Sequence, residues 1–126
     1  MLITGDGPSR PALVNQAKQL GLGDLVKFPG WVSREELELY FQAADIFVMA
    51  SEYEAGRPIT LLEAMSFEDA AVSSRIDGIP GLMTDNVDGL LFPVGDSVYL
   101  SKRLWKLLSD ASLRLRLSSS ARSFKV

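Results

Sequence analysis

An α/β doubly wound sheet is the fold class that this sequence predicts, and three observations predict it. Short apolar runs alternate with segments of helical periodicity along the chain, the order expected of strand–helix–strand units. The run Ile46-Phe47-Val48-Met49-Ala50 is apolar throughout, as a strand must be when both faces of a parallel sheet are covered. Glycine and proline clusters punctuate the boundaries, as in Gly5-Asp6-Gly7-Pro8, Pro29-Gly30 and the segment from Ile76 to Gly81.

Each element follows from its local pattern. Leu2-Ile3-Thr4 is a short strand stopped by the Gly5–Pro8 turn. Ser9 to Leu20 places Leu13, Ala17 and Leu20 at helical spacing, and Gly21 ends it. Leu25-Val26-Lys27-Phe28 reads as a strand. Ser33 with Glu36 three residues on is a capping box, and the helix it opens lines up Leu37, Tyr40, Phe41 and Ala44. After the strand from Ile46, a helix is expected from Thr60 to Phe67, just beyond Pro58. Ala70-Ala71-Val72-Ser73-Ser74 is a weaker strand, and Gly89 to Pro93 is the last. Val98 to Leu108 is an amphipathic helix, and a further helix covers roughly Ser112 to Ser123. Tyr40, Phe41, Phe47, Trp105 and Phe124 are expected in the core.

Composition bounds the function. A chain of 126 residues is one domain, 1–126, with an ordinary apolar content of 47%. It has no Cys and no His, which excludes disulfides, thiolate chemistry, a Ser-His-Asp triad and the usual catalytic zinc sites. Proton transfer would fall to Asp, Glu, Lys, Tyr or water. The net charge of −3 points away from nucleic acid and from an anionic membrane as partners. No apolar run reaches membrane-span length and the start lacks a signal-peptide pattern, so the default compartment is the cytoplasm, with peripheral membrane contact left open.

The densest chemistry lies in Glu52-Tyr53-Glu54-Ala55-Gly56-Arg57-Pro58-Ile59-Thr60-Leu61-Leu62-Glu63-Ala64-Met65. Carboxylates end an apolar strand, a Gly-Arg-Pro turn follows, and a helix then carries Glu63. Free N–H groups at that helix start, and its positive dipole end, suit a diphosphate. The acids on either side can accept hydrogen bonds from hydroxyl groups.

In order along the chain, Gly5-Asp6-Gly7-Pro8, Phe28-Pro29-Gly30-Trp31-Val32, Ala44-Asp45-Ile46-Phe47-Val48, the two-glutamate stretch, Gly78-Ile79-Pro80, and Asp88-Gly89-Leu90-Leu91-Phe92 with Gly95-Asp96 resemble one family. They are similar to the C-terminal, donor-binding domain of retaining glycosyltransferases of the glycosyl transferases group 1 type, over nearly the whole chain. The resemblance implies a Rossmann-like, doubly wound, mostly parallel sheet that forms half of a GT-B fold. It implies a nucleotide-diphospho-sugar as donor, of the UDP- or GDP-sugar kind, and an N-terminal acceptor-binding domain in cis or in trans. The reaction implied is transfer of a hexose to an acceptor hydroxyl with retention. The alternative is a non-catalytic nucleotide-sugar-binding fragment or subunit. The donor is a substrate. The resemblance implies no cofactor and a mechanism that needs no metal held by an Asp-x-Asp motif, which this chain lacks.

Carried over position by position, Glu63 matches the glutamate that contacts the ribose. Glu54 matches the one that contacts donor-sugar hydroxyls, the catalytic assignment. The turn of Gly56, Arg57, Pro58, Ile59 and Thr60 would meet sugar and diphosphate, and Trp31 and Val32 the nucleobase. The family separates its two glutamates by seven residues, but eight stand between Glu54 and Glu63. Either Ala55 is inserted in the turn or Glu54 has slipped from the sugar site. Glu68 and Ala70 occupy positions that are usually Gly and Pro, which weakens the case for the strand at Ala70. Gly81 stands where the family usually has Glu. The family's first strand, central in its sheet, and the Arg and Lys that grip the diphosphate precede Met1. The domain is therefore expected to be incomplete, and the isolated chain inactive. Arg57 is either a replacement cation or a solvated side chain.

Overall fold

The computed structural model describes residues 1–53, 58–79 and 81–121. It places five strands and five helices in these residues: β1 (Leu2–Thr4), α1 (Arg10–Gln19), β2 (Lys27–Gly30), α2 (Arg34–Ala43), β3 (Ile46–Met49), α3 (Ile59–Ser66), β4 (Ala70–Ser74), β5 (Leu90–Phe92), α4 (Ser97–Ser109) and α5 (Ala111–Ala121). The described residues form two compact units that divide between Leu39 and Tyr40.

In the first unit, β1 and β2 pair in parallel, Leu2 opposite Lys27 and Thr4 opposite Gly30, with α1 as the crossover. Pro11 stands in the first turn of α1, where a missing N–H costs nothing. A Schellman motif closes the helix: Leu22 N–H donates to Ala17 O at 2.8 Å and Gly21 N–H to Lys18 O at 3.0 Å, with Gly21 left-handed at φ +73°. Contrary to expectation, Leu25 and Val26 are not strand, because both of their N–H groups donate back to Leu22 O in a tight turn. The expected capping box is present: Ser33 and Glu36 exchange backbone-to-side-chain hydrogen bonds of 3.2 Å each.

In the second unit, β3, β4 and β5 form a parallel sheet in that order, in unbroken register from Ile46 opposite Ala70 and from Val72 opposite Leu90. Alternation along the strands divides the core in two. Met49, Ala71 and Leu91 face Leu61 and Met65 of α3, together with Ile76, Ile79 and Met83. Ala70, Val72, Leu90 and Phe92 face Leu107 of α4 and Leu113 and Leu117 of α5. Helices thus cover both faces, the doubly wound arrangement that the sequence implied.

Far from being marginal, β4 is the central strand of this sheet and all five of its residues are buried. Its small side chains let helices approach both faces, and Ser74 Oγ finds a buried acceptor in Ser51 O at 2.6 Å. The lost glycine is also accommodated. Glu68 takes the left-handed position itself, at φ +67°, and ends α3 with the bonds Asp69 N–H to Ala64 O and Glu68 N–H to Met65 O, both 3.1 Å.

Several polar residues build connections. Asp88 is buried and accepts from Thr84 N–H at 2.6 Å; burial still raises its carboxyl above the usual range. Gly89 passes so close to Ala71 O and Met83 Sδ that no side chain fits. Asp85 accepts from Leu91 N–H at 2.9 Å and from Arg103 at 3.2 Å. Asp96 caps α4 through Tyr99 N–H. Asp110 accepts from Leu113 N–H and Ser112 Oγ, and these bonds lower its pKa.

The aromatic assignments divide. Phe41 is buried, with ring centroids 5.9 Å from Phe47 and 5.6 Å from Phe67, and Tyr40 and Phe47 are half-buried. Phe124 lies outside the described residues. Trp105 is not core: it is 72% exposed, because Leu100, Leu104 and Leu107 turn inward and the next residue after Leu104 lies about 100° around the helix.

Candidate functional site

Ligands of open parallel α/β sheets bind beyond the carboxyl ends of the strands, where loops lead into helices. In the second unit that edge holds Ala50 to Tyr53 after β3 and the segment from Arg75 after β4. The described part of the two-glutamate stretch lies here, as the amino end of α3. Pro58 is buried and bends the chain into the helix with φ −77° and ψ 87°. Its carbonyl accepts from Leu61 N–H at 3.1 Å and Leu62 N–H at 3.3 Å. The Ile59 and Thr60 N–H groups stand in the first turn, where a helix has no intrahelical acceptor, and the N-cap residue Pro58 supplies no capping side chain. Both residues are exposed. Such an end offers N–H donors and positive potential to an anion.

Glu63 follows about one turn later. It is half-buried, whereas its neighbours Leu61, Leu62, Ala64 and Met65 are buried, Leu61 and Met65 against the sheet. The helix is anchored by those four residues, so Glu63 is held on a rigid element. Its carbonyl accepts from Ser66 Oγ at 2.6 Å and Phe67 N–H at 3.1 Å, which closes the helix behind it. A carboxylate on a packed helix, near that helix's amino end, can accept hydrogen bonds from a diol while the helix end takes an anion.

Glu54, Gly56 and Arg57 lie outside the described residues, and so does Pro80. Trp31 and Val32 belong to the first unit, directly after β2. The Trp31 indole is 79% exposed and Val32 is half-buried. Gly30, left-handed at φ +79°, aims the chain out of the strand, and its carbonyl accepts from Gly5 N–H at 2.8 Å. An exposed indole at a strand's carboxyl end can stack on a planar ring.

The Gly5-Asp6-Gly7-Pro8 turn does more than end β1. It lines an open groove of about 290 Å³ in the first unit, together with Ile3, Arg10 and Phe28. Arg10 is the residue that pattern reading passed over. Its Nη2 donates to Phe28 O at 2.7 Å, and its buried Nε has no partner among the described residues. Only its place directly after the turn could have drawn attention to it. Several other motif residues serve architecture: Asp88 and Gly89 close a turn against Met83, and Asp96 is a helix cap.

Comparison with known proteins gives one consistent result. The family model described as "Glycosyl transferases group 1" matches residues 1–124. The lipopolysaccharide core biosynthesis glycosyltransferase LpsE of Rhizobium meliloti is 32% identical over 116 residues, 92% of this chain and 33% of that protein. Sucrose-phosphate synthase from Thermosynechococcus elongatus superposes with a TM-score of 0.86 at 26% identity, over 97% of this chain and 32% of that one. Anabaena Alr3699/HepE, in complex with UDP and glucose, superposes with a TM-score of 0.88 at 23% identity, over 97% and 34%. The chain thus spans about a third of the length of these relatives.

Proposed function

The chain belongs to the glycosyl transferases group 1 family, and on that premise we propose that it is the donor-binding half of a retaining GT-B glycosyltransferase. It would hold a nucleotide-diphospho-sugar while an acceptor-binding domain, in cis or in trans, presents the hydroxyl that receives the hexose. The observation that carries this reading is the amino end of α3: first-turn N–H groups at Ile59 and Thr60 behind an N-cap proline that offers no capping side chain, with Glu63 one turn further on a helix packed against the sheet.

The roles follow from the chemistry of each group. When the bond from the anomeric carbon to the diphosphate breaks, negative charge grows on the departing phosphate oxygens. The helix amino end and its N–H groups stabilise that charge most where water is excluded. Glu63 accepts hydrogen bonds from the ribose hydroxyls. Glu54 is assigned to the sugar hydroxyls, and Gly56 and Arg57 to the sugar and diphosphate.

Calorimetry with UDP, GDP and ADP tests the reading. Glu63→Ala should weaken nucleotide binding roughly ten- to hundredfold, as expected for losing hydrogen bonds to a charged acceptor. Unchanged affinity would discard the ribose assignment. Because the chain spans about a third of its relatives' length, a second reading is a module that binds the donor but needs a separate acceptor domain for turnover. Nucleotide binding without transfer, restored by adding that domain, would select it. No binding at millimolar nucleotide would reject both.

A further inference from the structure

The net charge of −3 conceals a sharp division. Residues 97–126 carry seven Lys and Arg against the single acid Asp110, whereas residues 1–96 carry six against fifteen. The basic end includes α4, which has no carboxylate of its own; Asp96 and Asp110 flank it as caps, with their oxygens engaged by Tyr99 N–H and Leu113 N–H. Leu100, Leu104 and Leu107 pack α4 against the sheet. That leaves a second apolar set unburied. Val98, Trp105 and Leu108 are 63%, 72% and 65% exposed. Their intervals of seven and three residues line them along one flank of the helix. Lys102 and Lys106, four residues apart and exposed, form the adjoining flank. Arg103 is not part of it, since it is turned to Asp85 at 3.2 Å and lies 5.1 Å from the Tyr99 ring centroid.

We propose that this face of α4 docks on an anionic lipid surface, with Val98, Trp105 and Leu108 entering the headgroup boundary and Lys102 and Lys106 meeting the headgroup charge. Charge complementarity selects this occupant. A basic flank without acids beside an apolar flank bearing Trp is the pattern of a helix lying in a membrane interface. Trp is favoured there because its ring is apolar and its N–H stays wet. The inference goes beyond the donor-site reading and stands without it.

The test is co-sedimentation of the 126-residue chain with vesicles of phosphatidylcholine alone or with a third phosphatidylglycerol, at low and at physiological salt. The bound fraction should rise roughly fivefold or more with phosphatidylglycerol and fall with salt. Trp105→Ser and the pair Lys102→Glu with Lys106→Glu should each abolish the excess, while Trp105→Phe should retain most of it. All three positions are exposed, and circular dichroism checks that each variant keeps its fold. No excess on anionic vesicles overturns the proposal, and so does an excess that survives Trp105→Ser, which would be unspecific adsorption of a basic surface. Self-association in lipid-free solution that Trp105→Ser dissolves, without vesicle binding, would make a second copy the occupant and would likewise overturn it.

Discussion

Asp69 and Asp45 stand together at the amino ends of paired strands. Ala70 N–H donates to Asp45 O at 3.1 Å, and each acid directly precedes its strand. Asp69 is 1% exposed, and its Oδ2 has no partner among the described residues. Burial first, and the charge of Asp45 second, raise its pKa from the ordinary carboxylate range to about 7.

This raised pKa sets a pH dependence with a definite sign. Between the ordinary carboxylate pKa and about 7, folded Asp69 holds a proton that the unfolded chain has lost. Stability therefore falls as pH rises through that window, and the full cost is present above about 7. Asp69→Asn should flatten the fall and raise the melting temperature at pH 8 more than at pH 5, because the amide is neutral and can donate toward Asp45. A slope that is the same in both proteins would refute the assignment.

Glu68 occupies a left-handed position that glycine fills without steric cost. The same geometry at the end of α1 is made by Gly21. Glu68→Gly should therefore stabilise the chain by about 0.5–1 kcal/mol, the left-handed penalty less the entropy that glycine loses. Urea denaturation measures it; a lower midpoint in the variant would contradict the strain.

Gly89 sits against Met83 Sδ and the carbonyl of Ala71 on the central strand. A methyl group there must push backbone as well as a flexible side chain. Gly89→Ala should cost about 2 kcal/mol or more, in the range of overpacked cores. A variant with unchanged thermal stability would show that β5 can shift outward freely.

Thr60 separates helix stability from ligand binding. An acid in the first turn of α3 complements the helix dipole, so Thr60→Glu should stabilise the fold by about 0.3–1 kcal/mol. The same charge would repel a diphosphate and weaken nucleotide binding. A variant that is more stable yet binds UDP or GDP as before would place the diphosphate elsewhere.

Much of this architecture was legible because local rules agree with each other. The Ser33–Glu36 capping box, the continuous apolar strand at Ile46 and the alternation of elements each pointed to the observed fold. Beside the burial expected of Trp105, the weakness expected of the strand at Ala70 and the strand expected at Leu25 and Val26 failed for reasons that lie in tertiary contacts. The strand at Ala70 looked weak because Ala and Ser have little strand propensity, yet small residues are what a central strand covered on both faces can use. Leu25 and Val26 have strand-like side chains, but the end of α1 captures their N–H groups.

The site was legible as a motif more than as geometry. Glu63 could be singled out from its position beyond Pro58, but its half-exposed setting depends on Leu61 and Met65 packing on the sheet and on the burial of Leu62 and Ala64. Arg10 carried no pattern of its own, and only the folded turn places it in a groove.

By itself the sequence determined the element order, the parallel doubly wound class and the stretch that holds Glu63, since these depend on periodicity, turn residues and charge along the chain. Only the tertiary structure decided which of two apolar arcs of α4 would be buried. Leu100, Leu104 and Leu107 compete with Val98, Trp105 and Leu108 for the sheet, and helical periodicity admits both. Packing on Val72, Leu90 and Phe92 settled the choice for the leucines, because a helix can bury one face against a flat sheet, and it left Trp105 outside.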